Sequence, residues 1–272
     1  MSQHSIQQLT VLDLVPFGNP VGDTAFYALR LSPPHWDSWQ PGQFVMIRPA
    51  DGSPERLWGR PFSICKVTKA DIVLFFQVVG RGTTALSKLQ PGDEVSVWGP
   101  LGNYFAVEAQ TPTLLLAGGI GIAPFVGYVH SHPSPWDIHM EFGHRMPLEC
   151  YPIDIINEKA VVEANLEKSP DDRQRFLGKV ERKIQEHAEG LVLACGPTPF
   201  LREVQRFSLK YKARTQLCLE TRMACGVGAC LGCVVKAGKH GQSLTKEGDS
   251  ELFSHMQTCT CGPNFWADRV IF

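Results

Sequence analysis

The chain has 272 residues, nine cysteines and a formal net charge of −1. That length allows two or three separate cores, and the near-neutral balance excludes a broad basic footprint for nucleic acid or an anionic membrane surface. The chain does not open with a basic stretch followed by an apolar one, and its longest apolar run, 113–129, is broken by four glycines and a proline. Neither a secretory leader nor a membrane span is therefore expected, and the cysteines point to a reducing cytosol, where thiols bind metals or pack as small hydrophobes.

Residues 1–110 alternate short β-rich runs, such as 43–47, 72–79 and 94–98, with turn signals at Pro41-Gly42 and Pro91-Gly92. Many short strands between Gly/Pro turns predict a small antiparallel barrel. Arg60-Pro61-Phe62-Ser63-Ile64 stands at the start of one run. A guanidinium fork can grip a pyrophosphate, and a serine hydroxyl can bond a heterocycle. The same pair also suits an ordinary surface turn. Gly80-Arg81-Gly82-Thr83-Thr84-Ala85-Leu86 reads as the opening of a short helix whose N–H groups suit an anion. Its plainer reading is a Gly-rich connection capped by a threonine. Trp98-Gly99-Pro100-Leu101-Gly102-Asn103-Tyr104-Phe105 closes the segment as a tight exit turn.

Residues 111–212 change to an α/β pattern. The run 113–117 is apolar throughout, as in a buried parallel strand. Gly118-Gly119-Ile120-Gly121-Ile122-Ala123-Pro124 follows, ahead of a helix with a first-turn proline. This placement lets the backbone approach a dinucleotide pyrophosphate at the carboxyl edge of a sheet. The sixth position counted from Gly118 is Ala123 rather than the glycine of the full fingerprint. A second strand is predicted at 138–142, helices at 160–166 and 173–187, and a strand at 191–195 that ends in Cys195-Gly196-Pro197, where a nicotinamide could be reached. Residues 198–210 read as another helix. Arg145, just after the second strand, is either a 2′-phosphate ligand or a plain surface residue.

Residues 213–272 hold Cys225-Gly226-Val227-Gly228-Ala229-Cys230-Leu231-Gly232-Cys233, answered by Cys259. The spacing C-x4-C-x2-C…C is that of plant-type [2Fe–2S] ligands. Thiolates are the soft donors such a cluster takes, and the glycines let the chain wrap closely around it. Zinc sites pair C-x2-C knuckles instead, and His240 and His255 lack knuckle spacing. A disulfide framework belongs to small secreted domains. Cys259 and Cys261 both lie in Gln257-Thr258-Cys259-Thr260-Cys261-Gly262-Pro263, and spacing does not choose between them. Cys65, Cys150, Cys195 and Cys218 have no ligand-like neighbours and read as structural. About 60 residues make a small core, so a metal centre would supply much of this segment's stability.

The order of motifs, an R-x-x-S barrel, then GGxGIAP, then CGP, resembles the ferredoxin–NADP reductase superfamily. With Glu220-Thr221-Arg222-Met223-Ala224 leading into the cysteines, Gly99-Pro100-Leu101-Gly102-Asn103, and the closing Gly262-Pro263 and Phe265, the chain resembles, nearly end to end, the electron transfer subunits of NAD-dependent (class 1B) dihydroorotate dehydrogenases. The resemblance implies an antiparallel FAD-binding β-barrel (1–110), an α/β NAD-binding domain of ferredoxin reductase type (111–212) and a small [2Fe–2S] domain (213–272). It implies that Arg60, Pro61, Phe62 and Ser63, then Phe76, Gln77 and Val78, contact the flavin, and that Gly82 and Thr83 hold its phosphates. NAD(H) would meet Gly118, Gly119 and Gly121 and Cys195, Gly196 and Pro197. The metal ligands would be Cys225, Cys230, Cys233 and Cys259, because the family's C-x-x-G-P matches residues 259–263; Cys261 departs from that pattern, and the region 160–190 is longer than usual.

The implied partner is an FMN-containing dihydroorotate dehydrogenase catalytic subunit, in a heterotetramer serving pyrimidine biosynthesis. This chain would then hold no dihydroorotate site of its own. NAD is favoured over NADP by the resemblance. The same architecture also serves subunits of NADH-dependent ferredoxin:NADP oxidoreductases and sulfide dehydrogenases. A flavin and iron–sulfur redox sensor is the reading from another class.

Overall fold

The structure, a computed structural model, describes residues 6–50, 58–238 and 253–272. The first six strands close into an antiparallel barrel: β1 (Ile6–Val21), β2 (Thr24–Leu31), β3 (Phe44–Pro49), β4 (Arg60–Val67), β5 (Ile72–Gln77) and β6 (Glu94–Leu101), in the order β1-β2-β5-β4-β3-β6. Closure leaves no free sheet edge. Leu29, Leu31, Val45, Ile47, Ile64, Ile72 and Phe76 fill the interior and are essentially inaccessible. Gly42 and Gly92, the glycines of the two Pro-Gly signals, each take φ +97°, a region costly to any residue with a Cβ. A short helix, α1 (Arg81–Leu86), bridges β5 and β6.

The second unit alternates strands and helices: β7 (Thr113–Gly118), α2 (Ala123–Ser131), β8 (Ile138–His144), α3 (Ile153–Asn157), β9 (Val161–Leu166), α4 (Pro170–Glu186), β10 (Leu191–Cys195), α5 (Thr198–Tyr211) and β11 (Thr215–Cys218). All six residues of β7 are buried, as a central parallel strand covered on two faces requires. Residues 160–166, which the spacing assigns to a helix, instead form the edge strand β9, paired in parallel with β8 from His139↔Val161 to His144↔Leu166. The β-branched pair Val161-Val162 and the available edge of β8 outweigh a helical spacing only seven residues long. α4 and α5 fall where helices are expected. β11 lies beyond residue 212 and still completes the parallel sheet beside β10.

The remaining strands are β12 (Val234–Gly238), β13 (Phe253–Gln257), β14 (Asn264–Trp266) and β15 (Val270–Ile271). β12, β13 and β15 form a small antiparallel sheet, whereas β14 returns to pair with β11. The main sheet therefore runs β14-β11-β10-β7-β8-β9. Barrel and α/β unit share a core: Phe105 stacks on Phe125 of α2 with ring centres 5.3 Å apart, and the buried Tyr128 hydroxyl donates to the Ala106 carbonyl at 2.9 Å.

One polar cluster is buried between β8, β9 and α4. The Glu141 side chain is inaccessible, with Lys179 Nζ 2.9 Å and His139 Nε2 3.1 Å away, and Asn165 Nδ2 donates to it at 2.9 Å. Burial raises its carboxyl pKa, but the bonds from His139, Lys179 and Asn165 together outweigh burial and hold it below the ordinary 4.5. A depressed carboxyl contributes stability that is present above the ordinary value and lost as pH falls through the native one. Glu141→Gln is expected to cost about 2–3 kcal/mol at neutral pH, less than stripping a fully isolated buried pair because Lys179 keeps Glu163. Urea unfolding of the two proteins as a function of pH checks this: their difference should shrink as the medium is acidified below pH 4.5. A difference independent of pH would contradict it.

Candidate metal centre and nucleotide sites

After β11 the chain crosses the outside of the barrel and forms the cysteine loop. Its turns depend on Gly226 (φ +73°) and Gly228 (φ +84°), with Leu231 also left-handed. Gly226 lies so close to β3 that a Cβ there would stand 2.5 Å from Met46 Cγ. Cys233 and Cys259 are buried with Phe44, Met46 and Leu101, and Trp98 and Met223 pack around them. Trp98 Nε1 donates to the Cys225 carbonyl at 2.8 Å. Asn103 Nδ2 donates to the Cys261 and Asn264 carbonyls at 3.0 and 2.7 Å.

The N–H groups of Val227 and Cys230 point at Cys225 Sγ from 3.5 and 3.4 Å. Burial pushes this thiol up, but those N–H groups and the Cys230 thiol outweigh it and bring Cys225 down to about 7. Burial and the neighbouring Cys233 thiol push Cys259 up to about 12. The thiols thus meet in two pairs, Cys225 with Cys230 and Cys233 with Cys259. A single tetrahedral ion with bonds of about 2.3 Å would draw all four sulfurs to about 3.8 Å of one another. Among the described residues the cysteines form no group of three with ligand atoms within 4.8 Å. Two pairs suit a centre of two irons. Cys261 is exposed, its Sγ 3.7 Å from Thr260 Oγ1. His255 is exposed on β13 and His240 lies outside the described residues.

On the barrel, a cleft of about 1000 Å³ is lined by Arg60, Gly80, Arg81, Gly82 and Lys88, with Asp93 and Glu94 at one rim. Arg60 opens β4, and its Nη1 donates to the Trp58 carbonyl at 2.9 Å. Gly82 allows α1 to approach it: a Cβ would stand 2.9 Å from Arg60 Nε. Of the residues expected to contact the flavin, Arg60 and Gly82 therefore share this cleft. Pro61 faces Met46, and Ser63 faces Phe44 across the β4–β3 ladder. The Ser63 hydroxyl makes no hydrogen bond among the described residues.

Other members of that set turn elsewhere. Phe76 is 1% exposed, with Phe62 packed edge-on against it at 5.7 Å, so its ring belongs to the barrel core. Gln77 pairs with Phe26, and the Val78 N–H donates to Ala25. Thr83 Oγ1 accepts from the N–H groups of Val79 (2.9 Å) and Gly80 (3.1 Å), which locks the turn and leaves only its main chain for a phosphate.

The glycine turn and the Cys195-Gly196-Pro197 turn meet at the carboxyl ends of β7 and β10, neighbours paired Ala117↔Cys195. From β7 the chain proceeds outward through β8 and β9, then returns to β10 and β11 on the other side. The two turns therefore flank the switch point where open α/β sheets bind dinucleotides. Contact there is backbone on backbone: a Cβ on Gly121 would strike the Cys195 carbonyl, and Gly196 Cα lies 3.6 Å from the Cβ position of Gly118. A thiol contact with Cys218 on β11, and then burial, raise the Cys195 thiol well above its ordinary value. Lys88 carries no signal in the sequence, and Trp98, Asn103 and Arg81 stand there only within motifs, without a role of their own, the first two because their partners lie more than a hundred residues away.

Residues 220–271 match the model of the iron–sulfur cluster binding domain of dihydroorotate dehydrogenase B. Over the whole fold, the chain is similar to a solved NADH-dependent reduced ferredoxin–NADP oxidoreductase structure (TM-score 0.77, 21% identity, 97% of this chain and 89% of that one). It is similar also to the ferredoxin–NADP+ reductase of Plasmodium falciparum (TM-score 0.62, 12% identity, 78% and 95%). At those identities the likeness is one of fold. Two dihydroorotate dehydrogenase B (NAD+) electron transfer subunits match more closely in sequence. That of Caldanaerobacter subterraneus subsp. tengcongensis is 31% identical over 232 residues, and that of Clostridium perfringens 33% over 234, each match covering 85% of this chain and 87% of the relative. The chain belongs to the family of dihydroorotate dehydrogenase B electron transfer subunits.

Proposed function

We propose that this chain accepts electrons from an FMN-containing dihydroorotate dehydrogenase catalytic subunit and delivers them to NAD+, as one of two such chains in a cytoplasmic heterotetramer. The observation that carries this reading is the position of β3. On one side Phe44 pairs with Ser63 of the R-x-x-S motif, and on the other with Leu101, which packs with Cys233 and Cys259. When bound, a [2Fe–2S] centre supplies single-electron transfer, NAD+ accepts only hydride, and FAD converts between the two.

Each task of the protein falls to named groups. Cys225, Cys230, Cys233 and Cys259 hold the metal centre, and the N–H groups of Val227 and Cys230 favour the Cys225 thiolate. Arg60 and the main chain at Gly82 and Thr83 hold the flavin pyrophosphate, while the free Ser63 hydroxyl addresses the ring. Gly118, Gly119 and Gly121 admit the dinucleotide backbone, and Cys195-Gly196-Pro197 borders its nicotinamide end. Among the described residues no helix is long and apolar enough to cross a membrane. The 30% level of identity across 85% of the chain to dihydroorotate dehydrogenase subunits favours this reading over a bifurcating oxidoreductase, to which the likeness is one of fold.

NADH should bleach the bound flavin of the isolated chain anaerobically, whereas dihydroorotate should do so only after the catalytic subunit is added; a flavin that NADH does not bleach would sink the proposal. Cys259→Ser should lose most cluster iron and Cys261→Ser should retain it, by iron analysis and visible absorption. The reverse pattern would move the fourth ligand to Cys261. Gly121→Ala should keep flavin and cluster content yet slow NADH reduction at least about tenfold, because the added methyl forces the two turns apart. An unchanged rate in stopped flow would remove the dinucleotide from this turn.

A further inference from the structure

In a doubly wound sheet, the ribose of a dinucleotide held at the glycine turn is met by a carboxylate about 20 residues further on. Here the next strand, β8, ends in Gly143-His144 and is followed by Arg145; its one acid, Glu141, is buried and already held by His139, Lys179 and Asn165. The carboxylate comes from the neighbouring strand. β9 ends with Leu166 opposite His144, and the next N–H, that of Glu167, donates to the His144 carbonyl at 2.8 Å. That bond folds Glu167 back over the end of β8. Its Oε1 stands 2.6 Å from the place a Cβ on Gly143 would take. The absent side chain of Gly143 is thus the space that the carboxylate fills.

The surroundings suit a polar ligand. Glu167 is half-buried, and its carboxylate makes no hydrogen bond among the described residues. Burial raises its pKa, and Arg145, Arg173 and His144 pull the other way, with Asp172 opposing them. Arg145 is exposed. Phe176, whose ring also lies against Gly143, walls a neighbouring cleft of about 770 Å³ together with Asn165, Leu166, Arg175, Lys179 and Arg182.

We propose that Glu167 sets the coenzyme choice: its carboxylate accepts hydrogen bonds from the adenosine ribose diol, and its negative charge offsets the attraction that Arg145 would exert on a 2′-phosphate. This rests on the glycine turn of residues 118–121 being the dinucleotide seat. A ribose with two hydroxyls offers donors to the carboxylate. A 2′-phosphate offers none and adds about −1.5 to −2 of charge beside it, and like charges brought together at a recognition site select against the wrong partner. Arg145 alone, read from the sequence, would suggest the phosphorylated coenzyme; Glu167 adds an opposite charge in its vicinity.

The test uses the flavin- and cluster-loaded protein, with content checked by absorption. Flavin reduction is followed with NADH and NADPH, and calorimetry measures binding of 5′-AMP and 2′,5′-ADP. Wild type should prefer NADH and 5′-AMP. Glu167→Gln should lower the NADH/NADPH ratio of kcat/KM about 10- to 100-fold, the scale of one charged hydrogen bond, through KM rather than kcat, and should tighten 2′,5′-ADP relative to 5′-AMP. Glu167→Asp should keep most of the preference. Adding Arg145→Ala to Glu167→Gln should abolish the gain on NADPH. A Glu167→Gln protein with wild-type ratios in rate and in calorimetry overturns the proposal, as does an equal fall in kcat with the two coenzymes. A wild type reduced by neither coenzyme overturns the dinucleotide seat and this assignment with it, a result distinct from unchanged ratios in a protein that NADH reduces.

Discussion

Strand β3 is the wall that the barrel site and the metal centre share. Phe44 pairs with Ser63 in one direction and with Leu101 in the other. Neighbouring strands lie about 4.8 Å apart, so the two flanking elements are separated by about 10 Å. Met46, inaccessible on the same strand, supports the Cys225–Gly226 turn directly. A barrel strand that must be closed on two sides and packed on its outer surface has little freedom to shift. The distance between the candidate sites is therefore set by sheet geometry rather than by a hinge between domains.

At the other end of the path the constraint is backbone approach. Gly121 and the Cys195 carbonyl lie so close that no side chain fits between them, and Gly118 meets Pro197 and Gly196 in the same way. These contacts keep the two turns together at the switch point of the sheet. The barrel is held against this unit by the Phe105–Phe125 stack and the Tyr128–Ala106 hydrogen bond. Further support comes from the β1–β2 hairpin, where Phe26 packs against Tyr151 with ring centres 5.1 Å apart and the Cys150 thiol contacts the Asn19 carbonyl.

What could be read in the sequence is what local backbone chemistry dictates. The cysteine spacing, the Pro-Gly turns at Gly42 and Gly92 and the strand–glycine–helix passage at 113–124 are each written within about ten residues. What could not be read depends on partners far away. The environments of Cys259 and Cys261 differ because one is buried beside Cys233 and the other faces Thr260. Thr83 looked like a phosphate ligand, yet its hydroxyl closes its own turn. β9 was mistaken for a helix because an edge strand of six residues carries a weak period. Arg145 could not be weighed without Glu167, which a different strand brings to it.

The return of β14 to the main sheet has one further consequence. Cys218, the last residue of β11, lies directly opposite Asn264, the first of β14. The stretch 219–263, which holds the four ligand cysteines, thus leaves and re-enters the α/β unit at one place, and only β15 follows it back to the small sheet. A segment whose ends are pinned side by side can loosen or lose its metal without pulling the sheet apart. The segment's tie to the nucleotide turns then runs through one residue, Cys218, whose thiol meets that of Cys195.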